Sequence, residues 1–263
     1  MTRILKISML FTAIFILFIS PVYSQKYNEN SLSNVPIRSL IFAPTAGTLP
    51  RGCFDVAVRV MPNGGILAAT GIGLSNRFLV GMSYGAEGII GEGEPIWNPR
   101  IEFDVKLRVI DEEYYMPAFT IGYNSQGYGP YCDSCERYAY KSKGFYVVAS
   151  RSFHFYKSSI GGHAGINYSL EHQFDHDEDP SLFFGFDTRF NEKLSFLMEY
   201  DAALNDDRIP DYYGKGKGYL NVGVKWLFSD DLEMEIIFDN LMNNRAGVNS
   251  FGRGLRFTYL EFF

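Results

Sequence analysis

The segment Arg100–Val109, RIEFDVKLRV, decides the fold. Ile101, Phe103, Val105, Leu107 and Val109 point to one side of an extended chain, while Arg100, Glu102, Asp104, Lys106 and Arg108 point to the other. Strict period-two alternation makes a strand with one apolar and one charged face, whereas a helix of this sequence would scatter its charges around every side.

The same pattern recurs along the chain. Leu182, Phe184 and Phe186 oppose Asp187 and Arg189; Leu194, Phe196, Met198 and Tyr200 oppose Ser195, Glu199 and Asp201. Leu220, Val222, Val224 and Trp226 oppose Asn221 and Lys225, and Leu232, Met234, Ile236 and Phe238 oppose Glu233, Glu235 and Asp239. Strands are predicted near 52–61, 65–73, 77–85, 99–109, 115–124, 143–152, 159–170, 181–190, 193–202, 217–228, 231–240 and 253–263. Most have about 9 to 12 residues, the length that crosses a bilayer at a steep tilt.

The connections discriminate between a soluble sandwich and a membrane barrel. Short links (Leu74–Asn76, Asp111–Tyr114, His154–Ser158, Asn191–Glu192, Ser229–Asp230) alternate with long ones (Ala86–Asn98, Ser125–Ser142, Glu171–Pro180, Ala203–Lys215, Asn240–Phe251), the tight turn Pro62–Gly64 excepted. A bacterial outer-membrane barrel alternates short periplasmic turns with longer outside loops in this way. The expectation is an all-β fold: a transmembrane antiparallel up-and-down β-barrel of about 12 strands over residues 51–263, with both termini in the periplasm.

Residues 1–24 read as a signal peptide, with Arg3 and Lys6 before an apolar run Ile7–Ile19 and small residues near Ser24. That run is shorter than the roughly 20 residues a spanning helix needs. Residues 25–50 lack clean periodicity and are read as a periplasmic or plug segment, tucked into the barrel or hanging below it. The chain stops at Phe263 after Leu255, Phe257 and Tyr259 on one face, which is similar to the terminal signal read by barrel-assembly machinery, although Glu261 interrupts it.

Aromatic residues are 16% of the chain, with 23 Phe, 18 Tyr and 26 Gly, which suits strands that show rings to outer-membrane lipid. Removing Arg3 and Lys6 with the signal takes the formal charge from −6 to −8, so nucleic acid is not an expected partner.

Cys132 and Cys135 form a C-x-x-C in a hydrophilic stretch and are read as a loop-stapling disulfide; a redox dithiol and half of a metal site are the other chemistries of that motif. Cys53 is read as a lone thiol on the first strand. The stretch Glu171–Asp179, EHQFDHDED, holds His172 and His176 among carboxylates, but its spacing matches no calcium loop. It is read as a solvated acidic outer loop, and no metal or cofactor is assigned.

Of four histidines only His163 falls on a strand, on the inner face with Gly165, Asn167 and Glu171. Catalysis there would need a nucleophile and an orienting partner within hydrogen-bond reach; a satisfied interior histidine is the reading adopted, and no catalytic residue is assigned. The inward polar set is Arg59, Arg100, Glu102, Asp104, Lys106, Arg108, His163, Asp187, Arg189, Glu199, Asp201, Lys225, Glu233, Glu235 and Arg256. Such a set either forms an ion-pair ladder filling a narrow barrel or lines a hydrated path for a small polar solute.

The stretches TAGTLPRGCFDVAVRVMPNGG (45–65), GIGLSNRFLVGMSYGAEGIIG (71–91) and KGFYVVAS (143–150) resemble the YjbH-type outer-membrane barrels linked to exopolysaccharide production. The resemblance implies a membrane protein working beside secreted polysaccharide and assisting its export. It brings no catalytic residues. A non-enzymatic barrel that binds or passes a polar solute is the reading adopted, with a membrane-embedded lipid-modifying enzyme and a structural surface barrel as the alternatives. A barrel is expected to migrate faster in a detergent gel when unheated than when boiled, and to fractionate with outer membranes; recovery in the soluble periplasmic fraction would contradict the reading.

Overall fold

The computed structural model describes residues 35–155, 158–191, 193–209, 213–229 and 231–263. The expected signal peptide and the start of the N-terminal segment lie outside the described residues. Fifteen strands are present among the described residues: β1 Cys53–Val60, β2 Ile66–Ser75, β3 Phe78–Glu87, β4 Ile96–Trp97, β5 Glu102–Ile110, β6 Ala118–Asn124, β7 Tyr128–Cys132, β8 Arg137–Tyr140, β9 Gly144–Phe155, β10 Ser158–Tyr168, β11 Ser181–Arg189, β12 Leu194–Asp201, β13 Tyr219–Leu227, β14 Leu232–Asp239 and β15 Gly252–Phe262.

Twelve of them form the wall, each antiparallel to its neighbours in chain order. The sheet closes where β15 pairs with β1, from Cys53 opposite Phe262 to Val60 opposite Leu255. Closure removes the two edges that an open sheet would expose to lipid. Both barrel termini sit at the end bearing the short turns, called here the turn end; the other is the loop end.

The wall is inverted relative to a soluble protein. On β5, Phe103 and Leu107 are 49% and 42% exposed outside, while Glu102 and Lys106 are 0% and 2% exposed inside. The outward row continues across neighbouring strands as Leu107, Ile121, Val147, Ile166 and Leu182, each opposite the next. Those apolar side chains stay uncovered by protein and suit hydrocarbon. Cys53 is buried at the turn end with Leu49, Leu79 and Leu260.

The strand bounds follow the alternation closely, and the departures have local causes. β6 starts at Ala118 instead of Tyr115 because Pro117 offers no ladder N–H and Glu113 and Met116 close a tight turn before it. β5 starts at Glu102, so Arg100 lies ahead of it at the loop-end rim, its side chain 56% exposed and its Nε 3.3 Å from Glu102.

Two expectations about the loop end are corrected. The segment 125–142 is not simply an outside loop: β7 and β8 pair as a hairpin, and all four β8 residues are buried. The acidic stretch 171–179 is not simply solvated either, since Glu171, Asp175 and Asp177 are 5%, 7% and 2% exposed. In both cases the polar groups find partners on each other, which removes the need for water.

A charge on the outer belt would face hydrocarbon. Val147→Arg is expected to lower unfolding stability in lipid vesicles by about 2–4 kcal/mol, measured by denaturant titration, whereas Val147→Leu should leave it near wild type.

Candidate functional site

The lumen is occupied from both ends. From the turn end, residues 35–50 enter as a re-entrant loop. Leu40 N–H bonds Ala43 O at 2.9 Å and Thr45 N–H bonds Arg38 O at 3.1 Å, so the chain turns back at Ile41–Phe42. It then descends until the Thr48 hydroxyl donates to Asn76 O at 2.8 Å, beside the first short turn. Gly185 opens the wall for this loop, since a Cβ there would lie 2.5 Å from Leu40 Cδ1.

Glu199 on β12 holds the tip. Its carboxylate accepts N–H groups from Ile41 (2.9 Å), Phe42 (2.9 Å) and Ala43 (2.8 Å), and a fourth hydrogen bond from Asn221 Nδ2 at 2.8 Å. Charge-assisted bonds of this kind are among the stronger polar contacts in a dry interior. The carbonyls of the same loop face cations: Arg256 donates to Leu40 O (3.2 Å), Arg59 to Ile41 O (3.3 Å), and Lys106 to Arg38 O. Arg38 itself pairs with Asp55.

From the loop end the β7–β8 hairpin covers the mouth. Its turn carries the Cys132–Cys135 disulfide, with Cα atoms 5.2 Å apart. Arg137, fully buried, reaches Asp175 at 2.7 Å and Asp206 at 2.8 Å, and its guanidinium stacks 3.7 Å from the Tyr213 ring centre. Lys141 adds a second cation to Asp175 at 2.8 Å. Glu171 accepts the Tyr138 N–H at 2.9 Å and the Ser142 N–H at 3.1 Å, and Tyr138 donates its hydroxyl to Glu102 at 3.0 Å. Burial alone would raise the Asp175 carboxyl, but the Lys141 ammonium and Arg137 outweigh it and hold Asp175 below its usual range. At Asp206 burial outweighs the same cations and the carboxyl is held above that range. Hairpin and loop tip meet in the middle, where Phe42 stacks on Tyr128 with ring centres 4.1 Å apart.

The remaining inward residues fall into two groups. Asp187, His163 and Ser150 form a chain: His163 Nδ1 is 2.8 Å from Ser150 Oγ and Nε2 is 2.8 Å from Asp187 Oδ1, and Ser150 Oγ also accepts the Ala46 N–H at 2.8 Å. Asp201 pairs with Lys143 at the loop end, and Arg108 with Asp111 at the turn end. The second group lines a cavity of about 180 Å³ beside the re-entrant loop. It contains Arg38, Arg59, Lys106, Arg189, Lys193, Lys225 and Arg256 against Asp55, Asp104 and Glu233. Lys225 pairs with Glu233 at 3.0 Å, and Arg256 with buried Glu235 at 3.0 Å.

Ser150, Arg137 and the loop-tip backbone were not legible as site members. Ser150 was the most accessible of them, since it continues the inward series Tyr146–Val148 on β9. Among the described residues no cluster of side chains with metal-binding composition occurs.

Removing Arg137 would leave two buried carboxylates short of their shared cation. Arg137→Ala is expected to destabilise the lid by about 3–5 kcal/mol, read as faster proteolytic cutting between residues 132 and 140 while the heat-dependent gel shift of the barrel persists.

No protein-family profile and no curated relative matches the sequence. Among solved structures, the chain is similar to the outer membrane protein Omp33 of Acinetobacter baumannii at 10% identity, covering 78% of this chain and 96% of that one with a TM-score of 0.45. It is similar to the KdgM porin at 9% identity (80% and 99% covered, TM-score 0.47) and to the NanC porin at 12% identity (80% and 99% covered, TM-score 0.46). The wall pairing and its inverted faces make this chain a closed antiparallel barrel of twelve strands.

Proposed function

We propose that the chain is a non-enzymatic outer-membrane barrel, its turn end and both termini periplasmic, that binds a polar solute in its lumen and lets it pass. The observation that carries this reading is the charged cavity of about 180 Å³ between the wall and the re-entrant loop. A purely structural barrel has no need of it, because a lumen can be filled by neutral side chains at lower desolvation cost. Secreted polysaccharide, the solute implied by the YjbH-type resemblance, is oxygen-rich and belongs to the class such a wall would recognise, and its passage would require the re-entrant loop to move aside. Lipid around the apolar belt and the assembly machinery at β15 are the partners this reading entails.

The Ser150–His163–Asp187 chain favours a second reading, a membrane-embedded hydrolase or acyltransferase. It is the weaker one: Ser150 Oγ is already bonded to the Ala46 N–H, all three side chains face the lumen and not lipid, and none lines the cavity. The contacts are those of a satisfied cross-strand network.

Liposome swelling separates these readings. Vesicles containing the barrel are expected to admit small polar solutes faster than protein-free vesicles and to leave their phospholipid intact, with Ser150→Ala behaving as wild type. Equal swelling with and without protein would remove the passage reading, and lipid cleavage abolished by Ser150→Ala would replace it with the enzyme.

A further inference from the structure

The cations of the lumen wall are in register. Arg189 lies opposite Ser195, Ser195 opposite Lys225, Lys225 opposite Glu235, Glu235 opposite Arg256, and Arg256 opposite Arg59. Arg189 ends β11 at the turn end and Arg59 lies near the loop end of β1. The row therefore climbs the wall as a staircase from one mouth toward the other, with one carboxylate among four cations.

Two buried cations stand out by their partners. Arg59 is 5% exposed and Lys106 is 2% exposed. Among the described residues neither has a carboxylate within 4.0 Å, with Asp239 and Glu235 acting on Arg59, and Asp104 on Lys106, from farther off. Each donates instead to a main-chain carbonyl of the re-entrant loop, Ile41 O and Arg38 O, Arg59 also lying over the Phe42 and Tyr128 rings at 4.7 and 4.9 Å, while Arg256 shares itself between Glu235 and Leu40 O. A neutral carbonyl is a poor partner for a buried cation compared with a carboxylate or phosphate oxygen, which supplies both the hydrogen bond and the opposite charge.

Resting on the passage reading above, we propose that the solute is anionic, bearing carboxylate or phosphate groups, and that the loop tip is its resident competitor. The loop's carbonyls hold the places of solute oxygens on Arg59, Lys106 and Arg256. Its N–H groups are held by Glu199, the carboxylate that would otherwise repel an anion from the same place. An arriving anion takes the cations, the tip loses its oxygen acceptors, and the loop backs out toward the turn end through which it entered. Release is thus coupled to recognition, because solute and loop compete for the same donors.

The test places a reporter on the loop. Ser39→Cys exchanges one atom in a half-buried position beside Arg256; Cys53→Ala removes the other thiol, and Cys132 and Cys135 are bonded. The protein, in vesicles and checked by its heat-dependent gel shift, is labelled with a membrane-impermeant maleimide. Pyrophosphate is expected to accelerate labelling about tenfold, as for a ligand that favours the loop-out state by that factor, over potassium chloride of equal ionic strength and over sucrose. Arg59→Gln and Lys106→Gln should each abolish that acceleration, and Glu199→Gln should raise labelling with no anion present.

Equal rates in pyrophosphate and potassium chloride would overturn the proposal, as would acceleration that survives both cation substitutions. Equal acceleration by sucrose would overturn the anionic class and leave passage standing. Pyrophosphate-specific labelling in a barrel that fails the swelling assay would uphold the competition and remove passage.

Discussion

The main-chain pairing of β15 with β1 is the constraint on which the rest depends. In hydrocarbon each unpaired N–H or C=O is worth several kcal/mol of destabilisation, so a spanning sheet must close on itself. Once it closes, the side-chain period of two leaves no freedom about which face is which. Phe103, Ile121 and Val147 go to lipid, and Glu102, Lys106, Glu199, Glu235 and Arg256 go inside.

That interior then has to be satisfied, and the chain does so with backbone as well as side chains. Glu199 binds a cluster of loop N–H groups, while Arg59, Lys106 and Arg256 bind the carbonyls of Ile41, Arg38 and Leu40. The loop-end hairpin solves the same problem with side chains: Arg137 and Lys141 answer the carboxylates of two different outer segments. The two solutions differ in reversibility. Removing the hairpin would take Arg137 away and leave Asp175 and Asp206 without their shared cation, whereas an oxygen-rich ligand could replace the loop's carbonyls one for one.

The wall was legible because a strand's two faces are written into alternate residues; β5 alternates without a break from Glu102 to Val109, while β12 and β14 each break the pattern once, with inward Leu197 and Ile237 packing against Leu40 and Ile41 of the loop. The filling of the lumen was much less so. Nothing in the local pattern of 35–50 says that Ile41, Phe42 and Ala43 present their N–H groups together, because that geometry comes from a turn without periodicity. Asp175 and Asp177 read as solvated because their acidic neighbourhood is hydrophilic; Asp175 is buried against Arg137, distant in sequence and placed by a hairpin that only tertiary packing reveals, and Asp177 accepts the Arg208 N–H of another segment. The inward set that alternation yields mixes side chains with different partners. Arg108 serves a turn and Asp201 the lid, while Arg59 and Lys106 meet the loop, and spacing along a strand carries no information about what stands opposite across the lumen.

The re-entrant loop also bears on how such a barrel comes into being. Its tip contacts residues far away in sequence, 158 positions in the Ile41–Glu199 bond and 216 in the Leu40–Arg256 bond, and the seam joins the first wall strand to the last. No loop contact on β12 or β15 can exist until nearly the whole chain is available. High sequence separation of this kind slows folding, because loop-closure entropy must be overcome before the contacts form. For this chain, sealing the seam and corking the lumen draw on the same late-arriving strands. A newly assembled barrel therefore has little opportunity to stand open and unfilled in the membrane.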